Sequence, residues 1–404
     1  MLLKVFGFSC NYTTYFVQRK QVTQVTRLSE RKIMDCREVI IDNGSGFCKS
    51  GLAGDCFPTS VIPSVVGTFK AKGNSRESCP TETYFGKMAQ AQRGSATLKY
   101  PIERGTVTSW EHLEKLWKHI YASELHVKSK ERPVLMTVAP LTSFFNREKM
   151  TEIMFECLNV PAMYLAIPAT LALYASGRTR GLVLDSGFGL TDAVPIYEGY
   201  YLPDAVKRLK LAGNDITENI RRLLLENGHN IPSTISKEVF ENIKETLCYV
   251  ARDPNQEAKN QMDNLHQEYT LPDGNLITIQ KELFKAPEVL FTTANVCSEE
   301  PGIHKLIYNS ILRCDRCLRK DLFCNIILSG GSTMFPGLEE RLLKEIKCQV
   351  PSGLQVTICA PKNRNYSVWI GASILTSLTA FKDMWVTCND YREYGPTIIN
   401  KRCF

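Results

Sequence analysis

Long apolar runs are missing from this 404-residue chain, and so is any low-complexity linker. No stretch approaches the roughly 20 apolar residues that cross a bilayer as a helix, so no membrane partner is expected. The opening Leu2-Leu3-Lys4-Val5-Phe6-Gly7-Phe8 is far too short for a span, and no small-residue cleavage site follows to mark a secretory signal. A cysteine framework is also lacking, since the 15 cysteines are scattered. The one close pair, in Cys314-Asp315-Arg316-Cys317, has no second pair or histidine at zinc-finger distance and reads as structural or incidental. A reducing cytosolic or nuclear compartment suits such thiols.

Acids are scarce at the amino end. Met1 to Ile33 carries six basic side chains (Lys4, Arg19, Lys20, Arg27, Arg31 and Lys32) against Glu30 alone, so most of the net charge of +7 sits there and the body is nearly neutral. No basic run interleaved with aromatics follows, which argues against nucleic acid as a partner. The leader, residues 1–37, has loose traits of a transit peptide in its Thr and Ser content. It is expected to be a flexible extension, with Met34 a candidate alternative start.

What is present is the composition of a soluble globular protein, 44% hydrophobic and 23% charged, long enough for two large lobes. From Val39 the pattern alternates strands with helices over connections too long for hairpins, as an α/β protein does. Helical periodicity predicts helices over Trp110 to Leu125, Asn146 to Leu158, Ala169 to Ala175, Asn214 to Asn227, Lys237 to Ala251, Ile303 to Cys314, Leu338 to Cys348 and Trp369 to Ala380. Asn214 is the expected N-cap of its helix and Gly228 the expected residue after its end.

Two segments share one construction. Val39-Ile40-Ile41-Asp42 runs into Asn43-Gly44-Ser45-Gly46 and a second strand through Lys49, while Gly181-Leu182-Val183-Leu184-Asp185 runs into Ser186-Gly187-Phe188-Gly189 and a second strand from Leu190. An Asp that ends a buried strand before a glycine-rich turn can face a metal while the turn's amides face phosphate. Either turn alone would also read as an ordinary hairpin; the matching pair favours a phosphate clamp. A third loop, Ser329-Gly330-Gly331-Ser332-Thr333-Met334-Phe335-Pro336-Gly337, follows the apolar Ile326-Ile327-Leu328 and precedes a helix start near Leu338. Glycines there let a flat nucleoside lie on the backbone, and a strand-to-helix loop needing positive φ is the plain alternative.

With these loops in order, the chain resembles actin and the actin-related proteins from about Glu38 to Phe404. The strings Asn146 to Ile167, Leu271 to Gly274, Tyr308 to Asp315 and Tyr366 to Ser373 carry the likeness almost without gaps, and the divergence is similar to that of the testis-type actin-related proteins. The resemblance implies an α/β fold of two lobes and four subdomains, with duplicated phosphate-binding hairpins and a central nucleotide cleft. Lobe one would comprise 38–175 plus 369–404, with a small second subdomain at about 64–100, and lobe two 176–368. It also implies ATP or ADP with Mg or Ca. Asp42 and Asp185 would face the metal through water, Gly44, Ser45, Gly46, Lys49, Gly187 and Gly189 the phosphates, and Gly213, Lys244, Glu245, Gly330, Gly331, Met334 and Phe335 the nucleoside.

The departures from the family pattern fall on the chemistry. Phe188 stands where the second hairpin of actins has a third acid, and Pro168 and Asp192 stand where the family has a water-orienting Gln and a proton-transferring His. A phenyl ring holds no cation and proline offers no side-chain hydrogen bond, so hydrolysis is expected to be lost. Asp192 remains a conceivable base for slow turnover. Nucleotide binding is expected to be weakened too, because Glu241 and Asn365 replace a family Arg and Lys.

Two assembly segments, Lys72 to Pro80 and Asn295 to Glu300, are polar where actin presents apolar groups, so actin-type filaments are not expected. The expected state is a monomer or part of a larger assembly. Tyr174, Thr179, Gly199, Tyr200, Leu375, Leu378 and Met384 match the cleft with which actins take helices of profilin-type or cofilin-type partners; packing of the two lobes accounts for several of these residues equally well. The resulting expectation is a cytoskeletal or structural interaction protein of the cytoplasm that binds nucleotide without hydrolysing it, the nucleotide cleft serving mainly to hold the two lobes together. A slow ATPase that copolymerises with actin and a nuclear subunit of a chromatin assembly are the alternatives, and a sugar-kinase or chaperone-type enzyme built on the same hairpins is disfavoured.

Overall fold

The computed structural model describes residues 37–69, 82–229, 231–232, 235–260, 266–296 and 299–403. Residues 1–36 of the leader, the Lys72 to Pro80 segment, Cys297, Ser298 and Phe404 lie outside the described residues. The α/β class expected from the alternation is what the structure shows, built on two six-stranded sheets.

In the first sheet the strands run in the order Val386–Thr387, Ala162–Ala166, Val134–Thr137, Val39–Asn43, Phe47–Leu52, Ser60–Pro63. In the second, Tyr200–Tyr201, Thr191–Tyr197, Gly181–Ser186, Ile326–Ser329 and Ile358–Cys359 lie side by side, and Lys207–Leu209 also pairs with Thr191–Tyr197. The two share a plan. Each begins with an antiparallel Asp hairpin whose first strand is parallel to a later strand, Val134–Thr137 in one and Ile326–Ser329 in the other. Asp42 and Asp185 therefore arrive at equivalent corners of two sheets. The central strands Val39 to Ile41 and Leu182 to Leu184 are fully buried, as strands covered on both faces should be.

Between the sheets lie two helices, Pro168–Ala175 and Ser367–Thr376, in backbone contact: a methyl group on Gly371 would sit 1.8 Å from the Leu171 carbonyl oxygen. Pro168 occupies the first turn of its helix after the extended Ile167, where its missing N–H costs nothing and its fixed φ suits the start. Gly228, at φ +79°, follows the helix Gly213–Glu226 as expected. The N-cap differs from expectation: it is Ala212, and the Asp215 carboxylate reaches back to accept from its backbone N–H at 2.9 Å. Asp and Asn are similar in capping power, so their order along the chain does not decide which one turns back. The expected helices over Trp110 to Leu125 and Asn146 to Leu158 each end in one wider turn, Ile120–Glu124 and Ile153–Cys157. A small sheet of Thr83–Phe85, Val66–Thr68 and Thr97–Lys99 with the helix Gly86–Ala91 stands beside the first sheet. Among the described residues no helix is long and apolar enough to cross a membrane.

Candidate functional site

The first hairpin places Asp42 directly across from Lys49, and the Lys49 ammonium lies 3.0 Å from the Asp42 carboxylate. Thr137 donates to the other carboxylate oxygen at 2.9 Å. Burial alone would pull the Lys49 pKa down, but the charge and hydrogen bond of Asp42 outweigh it and hold it above the ordinary value. Ser64 anchors the turn, donating its hydroxyl to the Gly44 carbonyl at 2.7 Å and its amide to the Gly46 carbonyl at 2.9 Å. Ser45 accepts from the Gly105 amide at 3.1 Å. The amides of Ser45 and Gly46 donate to no acceptor among the described residues.

The second hairpin pairs Asp185 with Asp192. Two carboxylates in one register would repel, and Arg208 on the neighbouring strand removes the conflict. Its Nε and Nη2 donate to Asp192 at 2.7 and 2.9 Å, and Nη2 also donates at 2.7 Å to the Pro140 carbonyl beyond the end of the first sheet's strand Val134–Thr137. Asp192 is thus a buried ion-pair partner, so the proton-accepting role conceivable for it would require breaking a bidentate pair. Asp185 is different. Loss of hydration pushes its carboxyl up to about 6, with the charges of Asp42 and Asp192 adding, against a Ser329 hydrogen bond and Lys49. Its folded pKa lies above the unfolded one, so its contribution favours the fold below pH about 4 and is lost as pH rises through about 6. Asp185→Asn is expected to raise stability at neutral pH by up to about 3 kcal/mol and to flatten the pH dependence between 4 and 6; urea unfolding across that range measures both.

Phe188 lies between the hairpins. A methyl group on Gly46 would be 2.6 Å from both Cβ and Cγ of Phe188, and one on Gly189 would be 3.2 Å from Ser45 Cβ. The Lys237 ammonium stands 5.5 Å from the Phe188 ring centroid. The carbonyls of this turn are also engaged, because Gly187 accepts from the Gly213 amide at 3.1 Å and Phe188 from the Asn214 amide at 2.8 Å. The first N–H groups of the helix Gly213–Glu226 therefore point at protein backbone.

The third loop completes the floor. Gly330 has φ +88°, and a methyl group there would strike the Ser186 carbonyl at 2.2 Å. Gly331 begins a tight turn in which Ser332 donates to the Gly187 carbonyl at 2.6 Å. Lys244 is buried and donates to the Gly213 carbonyl at 3.2 Å and the Thr217 hydroxyl at 3.0 Å; burial lowers its pKa. Gly213, Lys244, Gly330 and Gly331 are thus gathered around the second hairpin. Glu245 faces solvent on its helix, Met334 is exposed and Phe335 is buried in the second core. The helix Leu338–Lys347 starts at Gly337, packed on the Val250 carbonyl.

Sequence reasoning missed the residues that cross the cleft. Arg104 donates to Asp215 at 2.8 Å and to the Lys210 carbonyl, and Arg93 to Glu238 at 2.6 Å. No local pattern marks them, since their partners are more than a hundred residues away. At the opposite end of the lobes, Gly199 donates its amide to the Thr179 carbonyl at 2.9 Å and fits under the Tyr174 hydroxyl. Tyr174, Leu375 and Leu378 pack on the first core, whereas Tyr200, Met384 and neighbouring Ile374 are exposed.

Duplicated sheets, paired Asp hairpins and an intervening glycine loop are joined by a match to the actin family model over residues 34–404. The chain belongs to the actin family. Actin-family proteins generally hold a nucleotide with a divalent metal, and the residues here can be tested against that pair. A phosphate between the turns needs a hydrogen bond of about 2.8 Å on each side in addition to its own width, yet the turns touch through Phe188 on Gly46 and Gly189 on Ser45. Asp42 is already bonded to Lys49 and Thr137, and among the described residues no group of three His, Cys, Asp or Glu side chains is arranged to hold a metal ion. Metal-bound ATP or ADP, expected at Asp42 and Asp185, would meet two turns already in contact and an Asp42 carboxylate already engaged.

Proposed function

We propose that this actin-family chain is a cytoskeletal or structural interaction protein that does not hydrolyse nucleotide. The observation that carries the reading is the pair of engaged positions on the second hairpin: Phe188 packs on Gly46, and Asp192 is tied to Arg208. Pro168 offers no side-chain donor and Asp192 is paired, so neither position that the resemblance assigns to water orientation and proton transfer has a free polar side chain, and positioning is most of what phosphoryl transfer asks of a protein. A purified full chain is expected to release no phosphate from ATP above the buffer rate, with magnesium or with calcium. Turnover at an actin-like rate would overturn the reading.

The surface through which it would act is the groove at Tyr174, Thr179, Gly199, Tyr200, Leu375, Leu378 and Met384. Its floor is packed and its rim, Tyr200 and Met384, is exposed, as suits the apolar face of an amphipathic helix from a profilin-type or cofilin-type partner. The proposal includes a cytoplasmic, cytoskeletal setting, a monomer or a subunit of a larger assembly instead of an actin-type filament, and a place in the testis-type actin-related branch.

A further inference from the structure

We infer that the cleft of this chain is held shut by its own side chains, with Phe188 filling the gap between the hairpins, so that closure of the lobes requires no nucleotide. This goes beyond the groove reading and stands apart from it: loss of a helical partner at Tyr200 would leave it untouched.

Three contacts run from floor to mouth. On the floor, the Phe188 ring lies on Gly46 so closely that even a methyl group at Gly46 would overlap it. Midway, Arg104 reaches Asp215 and the Lys210 carbonyl, while Asp215 simultaneously caps the Ala212 amide, so the acceptor is held by its own helix. At the mouth, Arg93 from the small subdomain meets Glu238 on the opposite helix Lys237–Leu247. Beside Phe188, Arg104 and Glu238 lies a cavity of about 240 Å³, smaller than the ~300–1,000 Å³ of pockets that take a small ligand.

Its electrostatics are wrong for a polyphosphate. Arg104 and Lys237 line it against Glu103, Glu238 and Glu241. Both cations are engaged already, Arg104 by Asp215 and Lys237 by Glu218 at 3.2 Å. In a two-lobed protein a bound ligand stabilises closure by an amount that grows with the logarithm of its concentration once that exceeds Kd. A tethered ring and tethered ion pairs do the same within the molecule, at a fixed effective concentration.

The test follows the melting temperature and radius of gyration of the full chain with and without millimolar ADP or ATP, in magnesium and in EDTA. The unaltered protein is expected to be compact and indifferent to nucleotide in every condition. Phe188→Gly is expected to be less compact or lower-melting, and to gain at least about tenfold in nucleotide affinity, seen as a ligand-dependent rise in melting temperature. Should that variant fail to fold, Arg93→Ala/Arg104→Ala is the second probe. It is expected to melt lower in dilute salt, with the difference shrinking in strong salt. A nucleotide-dependent shift in the unaltered protein would overturn the inference. So would a Phe188→Gly protein as compact and as indifferent as the parent, or a double variant that melts with its parent at all salt concentrations.

Discussion

Arg208→Ala is expected to destabilise the protein by about 3–5 kcal/mol, because it strands a buried carboxylate. Asp192 is only 6% exposed, and both of its oxygens are bonded to the Arg208 guanidinium. Burial pushes the Asp192 carboxyl up, and Arg208 is what pulls it back. Without Arg208 the carboxylate must be protonated or left charged in a poorly hydrated place, and the Pro140 carbonyl loses its donor as well. The sign with pH follows from the same cause. In the variant the folded pKa of Asp192 rises further above the unfolded one, so its deficit is smallest in acid and grows as pH rises through that folded value. Asp192→Asn should cost less, since Arg208 can still reach Pro140. The double variant Asp192→Asn/Arg208→Ala should cost less than the sum of the singles, because the stranded charge is gone. Urea unfolding of the four proteins at pH 5 and pH 8 reads all of this, and an Arg208→Ala protein within about 1 kcal/mol of the parent at pH 8 would show that water already satisfies Asp192.

The second large effect is expected at Gly371. Alanine is the better helix former by roughly 1 kcal/mol, so local propensity alone would make Gly371→Ala stabilising. The tertiary contact reverses the sign, because the new methyl would lie 1.8 Å from the Leu171 oxygen and 2.5 Å from its carbon. Backbone cannot rotate aside as a side chain can. The two helices between the sheets must therefore separate, which disturbs Trp369, whose indole packs within 2.7 Å of where a Gly51 methyl would be. Overpacking of this kind costs about 1–3 kcal/mol and more where backbone is the obstacle. A loss of about 3 kcal/mol or more is expected by thermal or urea unfolding, with Gly94→Ala, which meets nothing within 4 Å, as a control near zero.

Much of the fold was legible because its signals are local. The proline that begins Pro168–Ala175, the glycine that follows Gly213–Glu226 and the Asp-to-glycine turns all act on their immediate neighbours in the chain. The same logic reached its limit within a single helix, where Asp215 and not Asn214 satisfies the start. Phe188 in the second turn was visible in the sequence, but the direction of its ring was not. That depends on Gly46 of the other hairpin arriving opposite it.

By itself, the sequence determined the strands of the two hairpins, the main helices and the paired turns, since periodicity and turn chemistry are properties of short segments. Only the tertiary structure decided that Asp192 is neutralised by Arg208, that Arg104 and Arg93 cross the cleft to Asp215 and Glu238, and that Phe188 fills the gap between the hairpins. The physical reason is that charge pairing and packing depend on distance in space, and residues a hundred positions apart meet only after the two sheets have been set against their shared helices.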